Sequence, residues 1–136
     1  MNSIRILIGI LGMDQHEVAA VGIAKMLRDN GMEVIYAGCF NTPETILQSA
    51  IEEDVDVIGI SSHSWEYLYY MPELMELLQK EANPIPVVVG GSVITAKDKT
   101  ALGEIGVASV FGSGTNDEEI IGSIQELAEA FVAASC

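Results

Sequence analysis

Five short runs of mostly branched apolar residues recur along the chain at 4–11, 33–37, 56–61, 86–89 and 108–111, each closed by glycine, serine or another polar turn residue. Runs of this length that do not alternate with polar residues predict strands buried on both faces. The segments between them carry apolar residues at helical spacing: Ala20, Ile23, Ala24 and Leu27, then Ile46, Leu47, Ala50 and Ile51, then Met71, Leu74, Met75 and Leu78. Punctuation agrees with that period. Gly31 closes the first helix, Thr42 and Pro43 open the second with a capping residue and a proline at its first position, and Asn116 with Asp117 opens the last. The predicted element order is βαβαβαβαβα.

Buried strands joined by helices impose a parallel sheet with right-handed crossovers and helices on both faces. Five of them predict an α/β, flavodoxin-like (Rossmann-like) three-layer fold, its five-stranded parallel sheet in the order 2-1-3-4-5. The 136 residues, 49% of them hydrophobic, suffice for one core, and no linker, repeat or low-complexity stretch divides them, so a single domain over 1–136 is expected.

Twenty acidic against six basic side chains give a net charge of -14, and the carboxylates are spread over helices instead of gathered in one tail. Such a surface repels phosphates and argues against nucleic acid. No apolar run approaches the roughly 18 residues of a membrane helix, and the N-terminus leads directly into the first strand, so a cytoplasmic location is expected. Cys39 and Cys136 lack metal or redox spacing and read as incidental thiols.

In a fold of this topology ligands bind beyond the carboxyl ends of the strands, above all at the switch point between strands 1 and 3. The loop after strand 1 reads Gly12, Met13, Asp14, Gln15, His16, Glu17; the loop after strand 3 reads Ser61, Ser62, His63, Ser64. Both histidines of the chain therefore face one crevice. Asp14, two residues before His16, is close enough to accept a proton from one imidazole nitrogen while the other nitrogen faces a metal, although Asp14 could equally cap the first helix. A zinc or iron site needs more ligands than His63, Glu17 and Glu66 readily supply, whereas a single imidazole suits a metal already held by a macrocycle. Gly90 and Gly91 after strand 4, and Gly112 and Gly114 after strand 5, either make turns or leave room for a bulky ligand. No GxGxxG follows strand 1 and no Walker-type lysine is present. Ser61 and Gly112 occupy places where a phosphorylatable receiver domain needs an aspartate and a lysine.

These loops resemble the cobalamin-binding domain of adenosylcobalamin-dependent mutases, whose pattern is DxHxxG, SxL and GG after strands 1, 3 and 4. The corresponding residues are Asp14 to Ala19, Ser61 to His63, and Gly90 with Gly91. Residues 27–36, 42–44, 53–59 and 111–115 are similar to the methylmalonyl-CoA mutase group. The glutamate mutase small subunit is the next nearest, sharing the paired serine Ser61 and Ser62. The chain departs from the pattern at Ala19, in place of the last glycine, and at His63, in place of leucine. It departs again at 65–70, where aromatic residues replace a small, glycine-containing stretch.

The resemblance implies a cobalamin-binding small subunit of a carbon-skeleton mutase of the acyl-CoA type, inactive alone. The cofactor implied is adenosylcobalamin, bound base-off with His16 as the lower axial cobalt ligand and its nucleotide tail in a slot between sheet and helix. Asp14 then orients His16, and Ser61 bonds the benzimidazole. Met13, Gln15, Glu17, Ala19, Ser62, His63, Gly90, Gly91, Ser92, Gly112, Gly114 and Thr115 complete the expected contacts. The implied partner is a large barrel-type mutase subunit; Trp65, Tyr67, Tyr69 and Tyr70 cannot all face one side of a helix, so some are expected to be exposed and to form its docking surface. A corrinoid carrier of methyl groups, using methylcobalamin, and a non-catalytic or degenerate cobalamin module remain as alternatives.

Overall fold

The computed structural model describes residues 3–14, 16–65, 67–112 and 114–135. The elements follow in the order β1 (Arg5–Leu11), α1 (Glu17–Asp29), β2 (Glu33–Asn41), α2 (Pro43–Glu52), β3 (Val57–Ser61), α3 (Tyr67–Gln79), β4 (Val87–Gly90), α4 (Ala96–Glu104), β5 (Ser109–Phe111) and α5 (Asp117–Ala134). All four strand pairings are parallel and the sheet order is β2-β1-β3-β4-β5. This is the expected flavodoxin-like topology, with its switch point between β1 and β3.

The helix starts follow from side-chain chemistry. Thr42 and Thr45 exchange side-chain and backbone hydrogen bonds at the head of α2, with Pro43 at its first position. Asn116 accepts from the Glu119 N–H at the head of α5. Gly31, at φ +87, ends α1 in the left-handed region. Among the described residues, no helix is long and apolar enough to cross a membrane.

Alternation along the strands divides the core into two clusters. Leu7, Leu11, Ile58, Ile60, Val87 and Val89 face one side, where they meet Ile46 and Ala50 of α2, Met71, Leu74 and Leu78 of α3 and Leu102 of α4. Ile6, Ile8, Ile10, Val57 and Val88 face the other, against Ala20 and Leu27 of α1 and Ile120, Ile124 and Ala128 of α5. Burial on both faces holds for β1, β3 and β4, but not for the remaining two strands. β2 and β5 are the sheet edges, each lacking a neighbour on one side, and they are mostly half-buried. Ile51, expected on the apolar stripe of α2, is half exposed.

β2 also runs four residues beyond the expected end at 37. Its register against β1 shifts at Gly9, and Gly38 and Phe40 both adopt positive φ there. The buried Asn41 side chain offsets the broken ladder, its Nδ2 donating to the carbonyls of Ile10, Ala37 and Gly38 at 3.2, 3.3 and 2.8 Å. This irregular stretch buttresses the end of β1, because the Gly12 N–H donates to the Asn41 carbonyl at 2.8 Å.

Candidate functional site

Gly12, at φ +70, turns the chain sharply at the end of β1 and carries Asp14 into the interior, where it is 4% exposed. One carboxylate oxygen of Asp14 accepts from the His16 backbone N–H at 3.0 Å and from the His16 ring Nδ1 at 2.6 Å. The other accepts from the His63 backbone N–H at 2.9 Å. Burial pushes the Asp14 carboxyl up, but the donors from His63 and His16 outweigh it and hold the carboxyl below its ordinary range. An ionised carboxylate can only accept, so in the neutral ring the His16 proton sits on Nδ1 and Nε2 keeps a free lone pair. The His16 side chain is 65% exposed, so that lone pair is available to an incoming group.

His63 faces the same crevice, its ring centroid 6.0 Å from that of His16. Its electronic polarity is opposite. Ser92 directs its Oγ, at 2.9 Å, and its backbone N–H, at 3.5 Å, to His63 Nδ1. The hydroxyl can donate or accept, but the backbone N–H can only donate, which makes Nδ1 the acceptor and puts the proton on Nε2. One imidazole offers a lone pair, the other an N–H. Among the described residues, no three His, Cys, Asp or Glu side chains come together as a metal cage.

Beside the histidines a cavity of about 310 Å³ opens between the sheet and the α1/α5 layer. Its floor is set by small residues on one face of the central strands: Gly59 and Ser61 of β3 and Gly90 of β4. Its walls are Ile6 and Ile8 of β1, Val88, Phe111, Ala19 and Ile23 of α1, and Ile120 and Ile124 of α5. Ile60, His63, Gly91, Ser92, Gly112, Gly114 and Thr115 complete the described lining. Three short loops and two helices thus frame an apolar slot at the switch point, within the roughly 300–1,000 Å³ range of small-ligand sites.

The glycines differ in what requires them. A Cβ on Gly91 would stand 1.6 Å from the Ser62 carbonyl oxygen, so Gly91 is demanded by the crossing backbone of the β3 loop. A Cβ on Gly90 meets nothing nearer than the Phe111 carbonyl at 3.6 Å, and around Gly112 and Gly114 nothing lies within 4 Å. All three line the slot, Gly90 with room for ordinary contact and Gly112 and Gly114 with open space beside them. Gly114, at φ +87, also serves its turn.

The other expected residues are distributed unevenly. Ala19 and Thr115 line the slot, the Thr115 hydroxyl donating to the Gly112 carbonyl at 2.8 Å. Glu17 turns to β2, accepting from the Tyr36 hydroxyl at 2.6 Å. Burial and that bond push the Tyr36 phenol well above its ordinary value. Met13 is exposed beside the turn, and Ser62 is buried with its hydroxyl unpartnered. Gln15 lies outside the described residues, as do Glu66, Ser113 and Cys136.

Tyr67 departs from the docking surface expected of the aromatic cluster. It is 3% exposed, with its hydroxyl donating to Asp98 at 3.0 Å, because the first turn of α3 directs it into the core. Trp65 and Tyr69 are exposed, and Tyr70 is half-buried in edge contact with Tyr69. Sequence reading missed Gly59, Ile23, Ile120 and Ile124. Gly59 carried a usable signal, since it interrupts a Val/Ile run at a position whose face is opposite to that of Ile58 and Ile60.

Residues 4–122 match the family profile described as B12 binding domain. The chain is 38% identical to the 2-hydroxyisobutanoyl-CoA mutase small subunit of Aquincola tertiaricarbonis, over 93% of each chain. It is 39% identical to the pivalyl-CoA mutase small subunit of Xanthobacter autotrophicus, over 93% of this chain and 84% of that one. In structure it is similar to a cobalamin-binding protein from Desulfitobacterium hafniense, with a TM-score of 0.78 and 20% identity over 92% of this chain and 59% of that one. At that identity the likeness describes the fold alone.

Proposed function

The chain belongs to the B12 binding domain family, and from this premise we propose that it is the cobalamin-binding small subunit of an adenosylcobalamin-dependent mutase acting on acyl-CoA substrates. Two small-subunit relatives bear the names of 2-hydroxyisobutanoyl-CoA and pivalyl-CoA mutases, and the alignment spans most of both. The observation that carries the reading is the Asp14–His16 pair. A buried carboxylate fixes the His16 proton on Nδ1, leaving the exposed Nε2 as a metal ligand at the mouth of an apolar slot.

The residues present fit the cofactor. A single imidazole with a carboxylate behind it suits cobalt already held by a corrin, and the slot is lined by apolar side chains and bare glycines, as a flat heteroaromatic tail requires. His16 would hold cobalt from below, with Asp14 setting its orientation. Ser61 and Thr115 would face the nucleotide tail, and Gly90, Gly112 and Gly114 would leave it room. When bound in its adenosyl form, the cofactor supplies a cobalt–carbon bond whose homolysis starts a radical rearrangement. Substrate binding falls to a large subunit of barrel type, which docks on the exposed Trp65 and Tyr69 beside the half-buried Tyr70.

The test is a titration of the full chain with adenosylcobalamin and with hydroxocobalamin, followed in the visible spectrum, for wild type and His16→Ala. A base-off, histidine-bound spectrum in wild type that the substitution abolishes is the expected result. An unchanged spectrum on mixing, both alone and with the large subunit added, would contradict the proposal.

A further inference from the structure

We propose that His63 is a specificity residue for the nucleotide tail of the cofactor, donating a hydrogen bond from Nε2–H to an acceptor on that tail. The inference rests on the cobalamin-binding reading and assigns a role to the position where the family pattern has a leucine, which cannot donate. Among the described residues, side-chain donors in the slot are few: no lysine or arginine lines it, and its polar side chains are Ser61, His63, Ser92 and Thr115.

Two of the four have committed their protons. Thr115 donates to the Gly112 carbonyl at 2.8 Å, and the Ser92 hydroxyl faces the acceptor nitrogen Nδ1 of His63 at 2.9 Å. Among the described residues, the His63 Nε2–H and the Ser61 hydroxyl are the side-chain donors left to the cavity. A nucleotide tail is rich in acceptors: phosphodiester oxygens, sugar oxygens and an azole nitrogen. In an apolar slot each acceptor left unpaired carries the full cost of losing water.

His63 is also held ready for the task. Asp14 fixes its backbone N–H at 2.9 Å, and Ser92 holds its ring at Nδ1 through the hydroxyl at 2.9 Å and the backbone N–H at 3.5 Å, the second of which can only donate and so favours the Nε2–H tautomer. Little ordering of this donor remains to be done when ligand enters. Ser92 acts through His63 and is a positioning residue.

The experiment compares hydroxocobalamin with cobinamide, a corrinoid lacking the nucleotide tail, in titrations of the full chain followed by visible absorbance and Trp65 fluorescence. His63→Leu should weaken cobalamin about tenfold and leave cobinamide unchanged. His63→Gln, whose amide places an N–H near the position of Nε2, should recover most of the loss. Ser92→Ala should weaken cobalamin by a smaller factor, and it supplies the same comparison if His63→Leu fails the thermal-unfolding control. Equal weakening of both corrinoids would place His63 against the corrin, and no weakening of either would leave it without a role; both results overturn the inference while the cobalamin-binding reading stands. Failure of wild type to bind either corrinoid overturns that reading and the inference with it.

Discussion

The Nδ1 of His16 lies 2.6 Å from the Oδ1 of Asp14, and the Oδ2 of the same carboxylate holds the His63 backbone N–H at 2.9 Å. One buried carboxylate therefore sets the tautomer of the first histidine and pins the loop that carries the second. The loops after β1 and β3 lie on opposite sides of the switch point, so their spacing, and with it the mouth of the slot, depends on Asp14.

Replacing Asp14 with alanine leaves two backbone N–H groups and a ring N–H without their acceptor. Chemical denaturation should show a loss of about 1 to 3 kcal/mol, and the affinity for hydroxocobalamin should fall roughly 10- to 100-fold. The stability effect has a defined pH dependence. The folded-state carboxyl lies below its ordinary value of 3.8, so its contribution is fully present above that value and is lost as pH falls through the lower folded one. The gap between wild type and Asp14→Asn in urea midpoints should thus be constant near neutrality and shrink below about pH 3.8.

The adjacent glycines of the β4 loop should respond in different ways. Gly91→Ala places a methyl 1.6 Å from the Ser62 carbonyl oxygen and must displace backbone. Thermal unfolding should register a loss of about 3 kcal/mol or more. Gly90→Ala meets only ordinary contacts and should leave unfolding within about 0.5 kcal/mol of wild type. Its effect should appear instead as weaker cobalamin binding.

Ala19 lines the slot from an exposed position in the first turn of α1. Its methyl group takes space from the ligand without filling the core. Ala19→Gly should lower helix stability by about 0.5 to 1 kcal/mol yet tighten cobalamin binding by an amount corresponding to about 1 to 3 kcal/mol. Opposite signs in the melting and titration experiments are the signature. A loss of affinity in the glycine variant would show that the methyl is a contact and not an obstruction.

Trp65 and Tyr69 are about three-quarters exposed, whereas Tyr67 is buried against Asp98. Trp65→Ala and Tyr69→Ala should leave the melting temperature nearly unchanged and abolish or weaken co-elution with the large subunit. Tyr67→Phe should cost about 1 kcal/mol and leave co-elution intact. Unaltered assembly in the Trp65/Tyr69 double variant would exclude this docking surface.

The sheet order and the shared crevice of His16 and His63 were legible because they follow from element order and topology, which the short apolar runs of β1, β3 and β4 and the helical spacing between them express. The Asp14–His16 contact was legible because the partners lie only two positions apart in the chain. The slot was harder to read. It is made by what is absent from one face of the central strands, at Gly59, Ser61 and Gly90, and closed by Ile120 and Ile124 from a helix at the other end of the chain. The Ser92 contact that sets the His63 tautomer spans 29 residues and has no local signature. Nor does composition announce the positive φ of Phe40, which lets β2 continue past Gly38. The inward turn of Tyr67 depends on where α3 starts relative to its aromatic run, and helix starts are the least certain boundaries in a sequence.

His16, and not His63, is proposed as the cobalt ligand. The two are distinguished by the electron paramagnetic resonance spectrum of the cob(II)alamin complex, prepared with histidine carrying either ordinary or heavy nitrogen. A ligating imidazole nitrogen splits each cobalt line into a triplet, which becomes a doublet with the heavy isotope. We expect that conversion in wild type and in His63→Ala, and its loss in His16→Ala. Triplets that ignore the label in wild type, or a label-dependent pattern that survives His16→Ala and disappears in His63→Ala, would contradict the assignment.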